Sequence, residues 1–152
     1  MVRRPQLEGR FRLTINRKKT KVVRLHQPQA SVDFLGFTFR FDRDLRGRAK
    51  RYLNVFPSKK AQQRLRDRLR EMTGPRRRMV PIPLLIAEVN QVLRGWSNYF
   101  KHGYPRVAFR KINDFVFQRL WKHLRRRSQR PFRPPEGTTF YAHLQRLGLQ
   151  TL

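Results

Sequence analysis

The sequence predicts an α+β protein in which a small antiparallel β-hairpin region precedes a three-helix bundle and a short C-terminal helix. Three observations predict it. In the first third, apolar residues recur at every second position, as at Phe37, Phe39 and Phe41, which is the period of a half-buried strand. Beyond Pro57 they recur at offsets of three and four, as at Leu85, Val89, Val92, Trp96 and Tyr99, which is the period of an amphipathic helix. Stop signals (Pro57, Thr73-Gly-Pro75 and Gly103) fall where one period gives way or a helix should close.

Along the chain, Phe11, Leu13 and Ile15 alternate like a strand, and Val22, Val23 and Leu25 follow the basic turn Asn16-Arg-Lys-Lys-Thr20. Val32 to Phe41 reads as one aromatic-rich strand. Asp42 to Arg48 is a turn, and Arg51 to Phe56 returns as the second strand of a hairpin. Ser58 caps a helix whose Ala61, Leu65, Leu69 and Met72 form a narrow stripe. A second helix opens near Pro83 and stops at Gly103. A third runs from about Pro105 to Arg127, with Ala108, Ile112, Phe115, Val116, Leu120 and Leu124 inward. The expected organisation is therefore a basic β region over 1–57, a helical bundle over 58–127, and a Pro/Arg linker with a short helix (Thr138 to Leu147) over 128–152.

Charge is the dominant compositional fact. The 152 residues hold 37 Lys+Arg against 9 Asp+Glu, a formal net charge of +28. So one-sided a chain repels itself and is best tolerated beside a polyanion, while twelve Phe, four Tyr and two Trp supply a core and argue against wholesale disorder. With no cysteine, disulfides, thiol nucleophiles and cysteine-ligated metals are excluded. The histidines (His26, His102, His123, His143) show no i, i+4 pairing, so no metal site or other cofactor is expected. The longest apolar stretch, Val80 to Ala87, is interrupted by Pro81 and Pro83 and is too short for a bilayer. The first residues lack the apolar segment of a secretory signal. The reading is cytoplasmic, with no membrane partner.

Little of the sequence suggests catalysis. Asp42-x-Asp44 is compatible with a two-carboxylate magnesium pair, but the surrounding arginines and glycine favour a solvated turn. Glu88 and Asp114 are expected to pair with arginines. Binding has more support: Lys18-Lys19, Lys59-Lys60, Arg76-Arg-Arg78 and Arg125-Arg-Arg127 put basic clusters in four segments. Arginine dominates, and its planar fork suits bidentate phosphate contact and stacking on bases. The interleaved aromatics offer stacking platforms, although Phe37, Phe39, Trp96 and Trp121 are read first as core.

Three segments resemble the reverse transcriptase/maturases encoded by group II introns. Leu13-Thr-Ile-Asn-Arg-Lys-Lys-Thr20 is similar to that family's block after the polymerase active site. Phe34-Leu-Gly-Phe37 is similar to the block ending the palm. Asn90-Gln-Val-Leu-Arg-Gly-Trp-Ser-Asn-Tyr-Phe100, with Ala108-Phe-Arg-Lys111, resembles the maturase-specific thumb, often called domain X. The last is the most specific, because a Leu-Arg-Gly-Trp-x-Asn-Tyr-Phe string rarely arises by chance. The family's catalytic centre is an RNA-directed DNA polymerase with a Tyr-x-Asp-Asp turn; this chain has no such turn and no Cys/His-rich nuclease segment.

The resemblance therefore implies a protein that is not an enzyme, binds structured group II intron RNA and assists its splicing by stabilising the folded RNA. The alternatives are the C-terminal subunit of a split reverse transcriptase, acting with a separately encoded catalytic half, or a non-functional truncated remnant. No catalytic or metal-binding residue is expected. Expected RNA contacts are Lys18, Lys19, Lys59, Lys60, Arg76, Arg77, Arg78, Arg94, Asn98, Lys101, Arg106, Arg110, Lys111, Arg125 and Arg126, with Asn98 read equally as a bond within the bundle.

Overall fold

The computed structural model describes residues 22–44, 50–130 and 132–152. Among the described residues the fold is α+β: a three-stranded antiparallel sheet in the order β1-β2-β3, followed by four helices. The strands are β1 (Ser31–Phe34), β2 (Phe37–Arg43) and β3 (Arg51–Pro57). The helices are α1 (Lys59–Met72), α2 (Ile82–Phe100), α3 (Arg106–Arg125) and α4 (Phe140–Arg146), with one 3-10 turn at Pro75–Arg77.

The single strand expected over Val32 to Phe41 is broken in two. Leu35 and Gly36 take positive φ values of 48° and 83°, so the chain reverses and Phe34 pairs with Phe37, as a two-residue hairpin turn requires. Tertiary bonds hold this turn: Tyr99 Oη donates to the Leu35 carbonyl at 2.9 Å, and the Ser58 N–H donates to the Gly36 carbonyl at 2.8 Å. A strand through Val22–Leu25 is not formed either. That segment leads into turns closed by Gln27 N–H to Arg24 O and Ala30 N–H to Gln27 O, and His26 stacks on Phe41 at 4.7 Å. The strand expected at Phe11 to Ile15 lies outside the described residues.

The helices begin and end as the local chemistry dictates. Ser58 Oγ accepts from the Ala61 N–H and Thr139 Oγ1 from the Ala142 N–H, each at 3.2 Å, satisfying first-turn donors. Pro83 occupies the first turn of α2, where its missing N–H costs no helical bond. The core joins Leu65, Leu69 and Met72 of α1, Leu85, Ile86, Val89 and Leu93 of α2, and Ile112, Val116, Leu120 and Leu124 of α3. Leu144 of α4 and Leu149 of the tail belong to the same cluster. The α2 stripe is rotated from the expected one: Ile86, Leu93 and Phe100 are buried while Tyr99 is half exposed. The sheet explains this, because it draws Tyr99 out to the Leu35 turn and seats Phe100 against Phe37 at 4.8 Å. Trp121, expected in the core, lies on the surface instead, with the Arg125 guanidinium 4.6 Å over its ring.

Candidate nucleic-acid interface

The sheet meets the bundle across a cleft of about 540 Å³. Strands β2 and β3 supply Arg40, Asn54 and Phe56, α1 supplies Lys59, Gln62, Gln63 and Arg66, and the start of α3 supplies Val107, Ala108 and Lys111, with Tyr104 just before it. Register explains the first group. Arg40 pairs with Asn54 and Thr38 with Phe56, and directly paired residues share a face. Four cations line the cleft with no carboxylate among the lining residues. Aromatic surface lies beside them: Arg40 sits 5.1 Å over the Phe56 ring, and Tyr104 packs edge-on against Tyr52 at 5.2 Å.

Asp42 orients Arg40. Its carboxylate receives Arg40 Nε at 2.8 Å and Nη2 at 3.0 Å, and Asn54 Nδ2 at 2.6 Å. Burial works to raise its pKa, but the bonds from Asn54 and Arg40, with the arginine's charge, outweigh it and hold the carboxyl below its ordinary value. Asp42 is thus a strand residue committed to these partners. Among the described residues no three His, Cys, Asp or Glu side chains gather where they would hold a metal ion.

The expected contact residues are distributed over several surfaces. Lys59 and Lys111 meet in the cleft, and Lys60 is exposed beside Lys59. Arg106 and Arg110 border a second depression with Phe109, Asn113 and Leu152. Arg94 is exposed and reaches the tail at Gln150 Oε1, 3.3 Å away. Asn98 and Lys101 are exposed at the end of α2; the Asn98 side chain makes no hydrogen bond to a described residue. Arg76 and Arg78 flank Arg77 on the exposed 3-10 segment. Arg77 differs from both, because its Nη2 grips Glu88 at 2.7 and 2.9 Å. Asp114, the other acid expected to pair, is exposed and forms no ion pair with a described residue. Arg125 covers Trp121, and Arg126 caps α3. Lys18 and Lys19 lie outside the described residues.

Sequence reasoning missed several residues. Arg40 and Arg66 enter the cleft only because strand pairing and helix packing bring them there; the alternation Phe39-Arg-Phe41 was the one local signal. It also missed a polar cluster where α1 ends against α3. There Arg119 Nε donates to Thr73 Oγ1 at 2.9 Å, and Thr73 Oγ1 donates in turn to the Leu69 carbonyl at 2.7 Å. His123 Nδ1 lies 3.2 Å from the Thr73 carbonyl. Since a carbonyl only accepts, Nδ1 carries the hydrogen there and Nε2 is left as an acceptor in the neutral ring. Burial lowers the His123 pKa and the nearby Arg127, Arg119 and Arg78 charges lower it further, against the raising effect of the Thr73 bond.

The described chain is a small sheet followed by a basic helical unit, with cations and aromatic side chains lining its depressions. Residues 62–138 match the family model of the group II intron, maturase-specific domain. That span is half of the chain and includes nearly all of α1 and the whole of α2 and α3, and the chain belongs to this family. The maturase-specific domain is non-catalytic, and the resemblance of Asn90 to Phe100 to domain X falls inside the matched span. No curated protein matches the chain. No described helix is long and apolar enough to cross a membrane.

Proposed function

We propose that this chain binds folded group II intron RNA in the cytoplasm and assists splicing by stabilising the active RNA structure, without catalysing a step itself. The observation that carries the reading is the cleft in which Lys59, Arg66 and Lys111 converge with Arg40, itself held by Asp42, beside Phe56 and Tyr104, in a chain of the maturase-specific family. The intron RNA is its own catalyst, so the protein has only to offset the repulsion between RNA segments brought close together. Cations on both walls of the cleft neutralise phosphates and release condensed counterions. Tyr104 offers a ring, and Arg40 over Phe56 and Arg125 over Trp121 offer guanidinium planes, on which an unpaired base stacks, as single-stranded RNA loops do on such surfaces.

Competition between an intron RNA and an unrelated structured RNA of equal length, over a salt series, tests the reading. For six to ten neutralised phosphates, affinity should fall by about a thousand-fold or more between 50 and 200 mM salt. The intron should keep its advantage near physiological salt, where charge alone no longer discriminates. Equal competition at every salt concentration would reduce the protein to a folded polycation.

A second reading is favoured by the edge of the sheet. β1 has no partner on its outer side among the described residues, and its last residue Phe34 and the following Leu35 are 61% and 67% exposed. An open strand edge with apolar neighbours suits pairing with another chain, which is what a C-terminal subunit would offer a separately encoded polymerase half. Co-expression with such a half, giving a soluble complex where this chain alone aggregates, would favour that role.

A further inference from the structure

His123 is a buried base in a ring of cations, and nothing in the RNA reading so far uses it. The residue is 3% exposed. Its Nε2 is buried and has no hydrogen-bond partner among the described residues, an arrangement native structures rarely leave without a ligand or a water. The residue lines a small pocket with Thr73 and Gly74 just after α1, Pro75 and Arg78 from the 3-10 segment, Arg119 and Lys122 from α3, and Arg126 at its C-cap. No carboxylate lines this pocket. Arg119 is committed to the carbonyls ending α1, at Arg70 and Thr73, whereas Arg78, Lys122 and Arg126 are exposed and form no ion pair with a described acid.

We propose that this pocket is a phosphate subsite, in which Arg78, Lys122 and Arg126 hold one phosphate of the bound RNA at its mouth and a single water joins that phosphate to His123 Nε2. The proposal rests on the RNA reading above and names one contact within it. The enclosed space is about 10 Å³, roughly what one water occupies, so the anion sits on the rim and not inside. A water has two hydrogens to give. With His123 neutral it donates one to Nε2 and one to a phosphate oxygen; with His123 protonated it accepts from Nε2 and still donates to the phosphate. The site therefore accommodates both ring states, and a phosphate at the rim favours the charged one.

The consequence is a proton linkage. The charged groups facing His123 are all cationic, Arg78 from the preceding segment, Arg119 and Lys122 from α3, and Arg126 and Arg127 just after it, and with burial they disfavour protonation of the free ring. An arriving oxyanion cancels part of that field, so binding draws a proton onto His123 and strengthens as pH falls. Each unit by which the anion raises the histidine pKa corresponds to about tenfold tighter binding below the free value.

Histidine Cε1–Hε1 NMR signals of the full chain, followed through a pH titration in sulfate and in chloride at equal ionic strength, test this. Sulfate keeps a constant charge over the range, and the histidines His26, His102, His123 and His143 are assigned by single His→Gln variants. Sulfate should raise the midpoint of His123 alone, and Arg126→Ala combined with Lys122→Ala should abolish the rise. A rise common to all four, or none at His123, overturns the subsite. A parallel arm uses a short RNA duplex. If RNA binds without moving His123, the subsite falls while RNA binding stands. If sulfate moves His123 but no RNA binds, the oxyanion site stands and the RNA reading falls.

Discussion

The Asn90 carboxamide on α2 accepts the Gln150 backbone N–H on Oδ1 at 3.0 Å, across 60 residues of chain, while its Nδ2 donates to the Gly148 carbonyl at 2.7 Å. Asn113 on α3 repeats the arrangement, accepting from the Leu152 N–H at 3.0 Å and donating to the Leu152 carbonyl at 3.2 Å. Two amide side chains thus take the place of a neighbouring strand for the tail, and they seat Leu149 in the core. Asn90→Ala should cost about 1 kcal/mol, because it removes two partly buried hydrogen bonds whose tail partners, at exposed Gly148 and Gln150, can turn to water. Urea denaturation measures it. The combined Asn90→Ala and Asn113→Ala variant should also make the last residues accessible to carboxypeptidase.

Gly103 should be more sensitive than any other described glycine. It has φ +83°, and a side chain there would strike the Val55 carbonyl, the same oxygen that accepts the Tyr104 N–H at 2.7 Å. Gly103→Ala combines left-handed backbone strain with a clash at the contact joining sheet to bundle. Gly137 has φ +71° and open space around it, so Gly137→Ala isolates the strain. Thermal unfolding should show a loss of about 1 kcal/mol at Gly137 and about 2 kcal/mol or more at Gly103.

Acid should weaken the free protein through His123. The folded state holds that ring below its ordinary pKa, so the unfolded chain binds the proton more readily. Stability from this group is fully present above the unfolded histidine value of about 6.5 and is lost as pH falls from there through the lower folded value. Urea midpoints should decline between pH 7.5 and 5.5 without added anion. The decline should be shallower in His123→Gln.

Charge substitutions should separate interface from scaffold. Lys111→Ala and Lys59→Ala remove cations from the cleft and should each weaken intron RNA binding and lower the slope of log affinity against log salt by about one. Arg77→Ala should leave that slope unchanged, since its guanidinium is engaged with Glu88, and should instead lower the unfolding midpoint. Fluorescence anisotropy over a salt series, with urea denaturation of the same variants, measures both.

Much of this protein was legible in one dimension. Leu65, Leu69 and Met72 repeat at a spacing only a helix can bury on one side, and Ser58 and Gly103 mark ends because their chemistry suits a cap and a left-handed residue. The string from Leu93 to Phe100 carried the family resemblance, and the family match covers it. The Leu35-Gly36 reversal left only a faint local trace, the three-residue step from Phe34 to Phe37 around Gly36, and the bonds that hold the turn come from Tyr99 and Ser58, distant in sequence.

The basic character and the helical framework were thus determined by the sequence alone, through counts and periods that depend on near neighbours. Which cations share a surface was decided by the tertiary structure. Arg40 and Lys111 are far apart along the chain and meet in one cleft because a register pairing and a helix packing place them there. Likewise, burial and the neighbouring arginines, which only packing brings together, hold the His123 pKa below its ordinary value while the Thr73 carbonyl fixes its ring. Local pattern specifies which surface of an element is buried; long-range packing specifies which residues then face each other.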